Sequence, residues 1–438
     1  MLKRKAEALF EAWKADRTNE ALLVMGARQV GKTYLIDEFA HRSYAHVVKF
    51  DLVDQADVLA ALNSATTSQE LFMAISAYAG ADLIPHETVI FIDGVQECRE
   101  ALTLIKYLVQ HTDFDYILSG SLLGVELADL RSAPVGYLRI VEMFPLDFQE
   151  FCWANGVGDD AWSEMEHAFA ERRPVQTAVH ERLLTLFHWY LVVGGMPQPV
   201  SHFISTNNLA TVHAQQESIL ALYRFDISKY AERNKRLVIK EIFDQVPSQL
   251  DSQTKRFNFS ALAPRGTYER YRDDFLWLVD AGVTIPVRNV SEPKRPLRLA
   301  ENRSFFKLFL CDVGLLSAAC GMDVARDLMA DDFSVNFGSI YENAVAQELH
   351  AHGVGGHFFR SRKQGELDFV VQWHGGVLPI EVKSGKDYKR HSALTNVLST
   401  PNYGINEALV LCEKNLHVIG EIVYCPVYMV ALIGADVA

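Results

Sequence analysis

Between about residues 21 and 140, short apolar runs alternate with stretches whose apolar positions recur every three to four residues. The runs at 22–25, 46–51, 88–93, 116–119 and 137–141 predict β-strands. Several are apolar almost throughout, as expected of parallel strands covered on both faces. Ahead of them, Ala6, Leu9, Phe10 and Trp13 fall at helical spacing and predict an amphipathic helix. Glu7 and Glu11 interrupt this segment, so it is not expected to be a signal peptide. From about 148 to 236 the pattern is helical, with long segments near 181–193 and 213–230. Helices continue from 238 to 320 and enclose a β-like stretch at 282–299 that carries Pro286, Pro293 and Pro296. Helix, helix and a proline-marked hairpin form a winged-helix-like order. Beyond 331, a helix at 340–350 precedes strands near 356–360, 367–373, 376–382 and 408–412.

Composition narrows the class. The 438 residues are 49% hydrophobic and 22% charged, which suits several domains with real cores and excludes a disordered or collagen-like chain. The expected fold is α/β in four parts: a parallel sheet (1–150), a helical domain (151–236), a winged-helix-like domain (237–325) and a C-terminal α/β domain (330–438). No run approaches the ~20 apolar residues of a membrane span, so no membrane partner is expected. The six cysteines are scattered with no C-x-x-C pair, which fits a reducing cytoplasm. The net charge of −13 argues against a nucleic-acid-coated protein but leaves room for a local basic groove. Lys255, Arg256, Arg265, Arg270, Arg272, Lys294, Arg295 and Arg298, among Phe257, Phe259, Tyr268 and Tyr271, are the candidate face for DNA or RNA.

The strand at 22–25 runs into Gly26-Ala27-Arg28-Gln29-Val30-Gly31-Lys32-Thr33, and a helical pattern starting at Tyr34 follows. This is G-x-x-x-x-G-K-[ST] in its strand–loop–helix context. Glycines let successive N–H groups turn toward phosphate oxygens, and the helix N-terminus adds positive potential. Gly26, Arg28, Gln29, Val30, Gly31, Lys32, Thr33 and Tyr34 are therefore expected to bind ATP, with Thr33 on Mg2+. Asp93 closes the apolar run at 88–93 and is expected at the magnesium ion's water shell. Gly94 follows, where ATPases of this class usually carry a water-orienting Glu; Glu97 is the candidate substitute. The next strand ends in Ser119-Gly120-Ser121, and either Ser119 or Ser121 is expected near the γ-phosphate, unless these residues only form the turn that closes the strand.

Near the C-terminus, Glu381 and Lys383 share one strand face, as do Glu366 and Asp368 on the strand before. Antiparallel pairing would set Asp368 near Glu381. Two such carboxylates beside a lysine suit a magnesium ion that activates water for phosphodiester cleavage, with Glu342 as a third acid. The expected catalytic set is thus Asp93 and Glu97 in one place, and Glu342, Asp368, Glu381 and Lys383 in the other. Asp368 and Glu381 are also candidate metal ligands.

These pieces together resemble a bacterial and archaeal family of AAA-superfamily ATPases, related to the STAND signalling ATPases. That family ends in a domain of unknown function with a restriction-endonuclease-like, PD-(D/E)XK-type fold. The resemblance rests on 26–33, 91–96, 118–121, the stretch from Pro134 to FPLDFQEF at 144–151, YLVVGGMP at 190–197 and YRFDISKY at 223–230. It continues through DVGLL at 312–316, YEN at 341–343, ELDF at 366–369 and PIEVK at 379–383. It implies an ATPase whose nucleotide state controls a nuclease-like domain. The alternative is a non-cleaving ATP-dependent switch that binds nucleic acid, a protein or a second copy. It also implies that the G-x-P element at 195–197 senses the nucleotide, where Gly-Gly-Met-Pro would equally end a helix. Arg224 is expected either at a neighbouring phosphate or in an ion pair. Gly94 departs from the family's usual Glu, so nucleotide binding is better supported than fast hydrolysis.

Overall fold

The computed structural model describes residues 2–16, 18–80, 82–121, 136–252, 254–330 and 337–434; Pro134 and Val135 of the family-like run lie outside them. The chain divides into two compact units: Lys3–Phe144 with Asp280–Gly282, and Pro145–Val279 with the residues from Val283 onward.

The first unit holds a five-stranded sheet. Its strands are β1 (Ala21–Met25), β2 (His46–Asp51), β3 (Thr88–Asp93), β4 (Asp115–Ser119) and β5 (Leu138–Glu142), in the order β2-β3-β4-β1-β5. Every pairing is parallel. The five apolar runs seen in the sequence are these strands, displaced by at most one residue at an end. β3 is buried along Thr88–Ile92 because helices cover the sheet, so it carries an unbroken apolar run with no polar alternation. Leu23, Phe50, Ile90, Ile92 and Leu118 belong to one core with Leu102 and Ile105 of the helix Arg99–His111.

The second unit begins with helices, among them Phe148–Ala154, Thr177–Val193 and Leu209–Tyr230. The first starts with a capping box, in which Asp147 accepts from the Glu150 N–H at 2.8 Å and Glu150 reaches back to the Asp147 N–H. An eight-stranded mixed sheet follows. It is built from β6 (Thr284–Val290), β7 (Glu301–Leu310), β8 (His357–Ser361), β9 (Gly365–Trp373), β10 (Gly376–Val382), β11 (Ala408–Cys412), β12 (His417–Ile419) and β13 (Ile422–Pro426). Their order is β12-β13-β11-β10-β9-β8-β6-β7.

Two expectations change here. The hairpin expected within 282–299 reaches further, because Leu297–Ala300 is a one-turn helix and the second strand is Glu301–Leu310. Nor does the boundary expected near 325–330 separate two sheets, since β6 pairs in parallel with β8 (Arg288 with His357). The prolines explain how such strands are tolerated inside a sheet. Pro286 pairs with Leu308, but β8 pairing begins only at Arg288. Pro379 pairs with Val370, but β11 pairing begins only at Ile380. Each proline, lacking an N–H, sits just before its strand acquires a second partner.

Candidate functional site

In the first unit, Gly26 (φ +138°), Gln29 (φ +68°) and Gly31 (φ +92°) turn the chain from β1 into the helix Lys32–Ser43. A Cβ on Gly26 would stand 2.1 Å from the Met143 carbonyl oxygen, so no other residue fits there. Gln29 accepts the left-handed region at a cost of about 1–2 kcal/mol. Val30 is buried, and its carbonyl accepts from Arg4 Nη1 at 2.9 Å. Arg4 also donates to the Phe144 carbonyl at 2.7 Å. Sequence reasoning missed Arg4, since its basic neighbours Lys3 and Lys5 make it look like part of a solvated run. Tyr34 is 56% exposed on the first helical turn.

The side chains converge on Asp93. Thr33 Oγ1 donates to Asp93 Oδ2 at 2.7 Å; Ser119 Oγ and, at 3.0 Å, the Gly94 N–H donate to Oδ1. The sheet register causes this, because Asp93 sits beside Ser119 at the carboxyl end of β3 and β4. Lys32 Nζ donates to the Gly26 and Ala27 carbonyls, each at 2.8 Å. Arg28 Nε donates to Ser121 Oγ at 3.4 Å. Burial pushes the Lys32 ammonium down to about 8, with Asp93 pulling the other way and Arg28 adding to the depression. Gly94 has φ +78°, and a Cβ there would meet the Val53 side chain at 3.2 Å. A glutamate in this backbone conformation would therefore be strained. Glu97 follows on the single 3-10 turn Val95–Glu97.

In the second unit, Glu342 on the helix Gly338–Ala351, Asp368 on β9, and Glu381 and Lys383 at the end of β10 come together. Asp368 Oδ2 accepts from the Val382 N–H at 2.9 Å, and Lys383 Nζ donates to Glu381 Oε1 at 2.8 Å. The centre also contains a residue that sequence reasoning missed. Lys307 of β7 is fully buried, with Nζ 3.1 Å from Glu366 Oε1, 3.3 Å from Glu342 Oε2 and 3.9 Å from Asp368 Oδ1. The signal was present: a single lysine inside Phe305-Phe306-Lys307-Leu308-Phe309-Leu310 must be either exposed or paired. Burial and the neighbouring Glu342 and Glu381 hold the Asp368 carboxyl well above the usual range. Glu342 is held low despite its burial, because Lys307 and Lys255 face it.

The basic face departs from expectation. Lys255 turns inward and donates to Glu342 Oε1. Phe257, Phe259 and Tyr271 are buried in an aromatic core with Phe306, so they cannot stack on bases. Arg272 meets Asp273 at 3.3 Å. Arg256 does face outward, lying 5.0 Å from the Phe305 ring. It lines a cleft with Phe305, Asn258, Arg360, Arg362 and Glu366. Gly194-Gly195-Met196 separates the helix Thr177–Val193 from the next, which starts at Pro197; Gly195 N–H donates to Asp312 Oδ2 at 2.6 Å, and a Cβ on Gly195 would meet the Leu146 carbonyl oxygen at 2.0 Å. Arg224 pairs with Asp244 at 2.6 Å.

Three stretches of the chain are similar to known families. Residues 18–152 match a family model described as an AAA domain. Residues 184–326 and 337–428 match two domains of unknown function, DUF8612 and DUF4143. No match was found among curated proteins. Among solved structures, the chain is similar to the Walker-type ATPase PABY2304 of Pyrococcus abyssi (14% identity over 73% of this chain and 96% of that one, TM-score 0.42). It also resembles C. elegans PCH-2 (14%, 45% and 58%, 0.28) and the Thermotoga maritima RuvB Holliday junction branch migration motor (14%, 67% and 88%, 0.27). Among the described residues, no helix is long and apolar enough to cross a membrane.

The AAA domain implies ATP binding, with Mg2+ the usual companion. Its residues fit that ion: Thr33 hydroxyl and Asp93 carboxylate are hard oxygen donors 2.7 Å apart. When bound, magnesium neutralises part of the triphosphate charge. The Lys32 shift sets a pH dependence. A triphosphate favours the charged amine, so binding raises a pKa that starts near 8. ATP affinity should hold level up to about pH 8 and then fall by up to about tenfold per pH unit. Titrations at pH 7 and 9 check this, and Lys32→Arg, whose charge persists, should flatten the slope.

Proposed function

We propose that this protein is an ATP-dependent switch. Its AAA domain binds ATP, turns it over slowly, and governs how a nuclease-like C-terminal domain holds DNA or RNA without cutting it. The observation that carries the ATP half is the meeting of Thr33 and Ser119 on Asp93 in the domain that carries Lys32. Slow turnover follows from Gly94, which has no side chain to polarise water; Glu97 is the residue positioned in sequence to take over that task. The helices within 151–236 serve as the lid in this reading. The nucleic-acid half rests on three guanidinium groups, Arg256, Arg360 and Arg362, around one cleft beside the ring of Phe305. They suit a phosphodiester backbone and a stacked base. The nuclease-like reading rests on a helix with Glu342 followed by strands bearing Asp368 and then Glu381 and Lys383, the order the resemblance implies.

The test is fluorescence anisotropy of labelled 20-nucleotide DNA and RNA strands with the full chain. ATP with Mg2+ should change the affinity by about fivefold or more in the wild type and not in Lys32→Ala. Arg256→Glu with Arg362→Glu should weaken binding by about tenfold or more and flatten its salt dependence. Affinity untouched by ATP would end the switch reading. The Glu381–Lys383 contact at 2.8 Å favours a second reading, metal-dependent cleavage of the strand. Products on a denaturing gel with Mn2+, lost in Asp368→Asn, would establish it.

A further inference from the structure

The carboxylate centre of the second unit already contains a cation. Lys307 enters from β7, an element outside the helix and two strands that supply the acids. Its ammonium is fully buried and lies within 3.1–3.9 Å of three carboxyl groups on two other elements: Glu366 and Asp368 on β9 and Glu342 on the helix Gly338–Ala351. Several of the remaining oxygens are engaged as well, while Glu381 Oε2 is buried without a hydrogen-bond partner. Glu342 Oε1 takes Lys255, Asp368 Oδ2 takes the Val382 N–H, and Glu381 Oε1 takes Lys383. Three ammonium groups therefore face four carboxyl groups. Magnesium needs about six oxygens near 2.1 Å in octahedral array, and an ammonium lodged among the carboxyl groups repels it and occupies the space it would need. Among the described residues, no group of three or more His, Cys, Asp or Glu side chains is arranged to hold a metal ion.

We propose that Lys307 is the resident cation of this centre: its ammonium takes the place of a divalent ion among Glu342, Glu366 and Asp368, and the centre recruits no metal while Lys307 stands there. This deepens the non-cleaving reading of the C-terminal unit and is independent of the ATP half. The lysine fills the role a metal otherwise plays in such a cluster, drawing like charges from separate elements together. A lysine tethered to β7 cannot exchange with solvent, so the cluster holds the sheet to its helix at any metal concentration.

The experiment is Mn2+ binding to the full chain without nucleotide, counted by electron paramagnetic resonance. Asp368→Asn and Glu342→Gln should leave the Mn2+ stoichiometry of the wild type unchanged, and 5-fold excess Mn2+ should leave its Tm unchanged. Lys307→Met should gain one Mn2+ per chain, and the Lys307→Met, Asp368→Asn double variant should lose it again. Wild-type Mn2+ binding that disappears in Asp368→Asn would overturn the proposal, and so would a folded Lys307→Met that gains nothing. If Lys307→Met fails to fold, the wild-type comparison alone decides. Failure here with intact, ATP-sensitive strand binding would remove only the lysine-for-metal assignment and leave the switch standing.

Discussion

Lys32→Ala should abolish ATP binding while leaving the protein as stable as before, or slightly more so. Losing the partner of a buried charged contact costs about 2–5 kcal/mol, which is roughly 30- to 5,000-fold in affinity. The stability half of the prediction comes from the direction of the Lys32 shift. Burial depresses its pKa to about 8, so the fold disfavours the charged amine that the site needs. Removing it relieves the fold and disarms the site, a trade found where a residue is kept for binding. Isothermal titration with ATP and a thermal melt of the same sample check both halves. An unchanged affinity, or a Tm that falls along with it, would show that Lys32 props up the loop and does not grip a phosphate.

Lys307→Met should do the opposite. Here three carboxyl groups surround the ammonium, and they raise its pKa in spite of complete burial. Removing one member of a buried ion cluster leaves the others uncompensated, at a cost of about 3–5 kcal/mol. The transition of the second unit should fall by on the order of 10 °C. Adding Glu342→Gln should recover part of that loss, because the single variant removes one of the two ammonium partners of the buried Glu342 charge and leaves it only Lys255. ATP affinity should not change. A Lys307→Met melt matching the wild type would mean that the acids find other partners at no cost. The two lysines thus make a paired test, one costly to the fold and needed for ligand, the other needed by the fold.

Much of the nucleotide site was legible because its chemistry is local. Eight consecutive residues hold the loop, and the strand before and helix after it announce themselves by periodicity. Asp93 and Ser119 could be picked out because each ends an apolar run, and parallel strands starting level end level. Gly94 was legible as a departure, while its left-handed φ close against Val53 was not. The C-terminal acids were legible for the same cause as Asp93, since i and i+2 on a strand share a face. Lys255 was misassigned because a basic residue among aromatics looks alike whether it faces solvent or a buried glutamate 87 positions away. The aromatics beside it misled in the same way: Phe257 and Phe259 have the composition of a stacking face and the location of a core.

By itself, then, the amino-acid order determined most of the elements, the phosphate-binding turn and most of the acids in the two centres. Backbone conformation and side-chain facing depend on neighbours a few residues apart, and the pattern of apolar positions records them directly. Tertiary structure alone decided which charge meets which. The partners of Lys307 lie 35 to 61 positions along the chain, and attraction between charges out of water depends on ångströms of separation and on burial, neither of which sequence spacing carries. That pairing is what distinguishes an open, metal-binding cluster from one already filled by its own lysine.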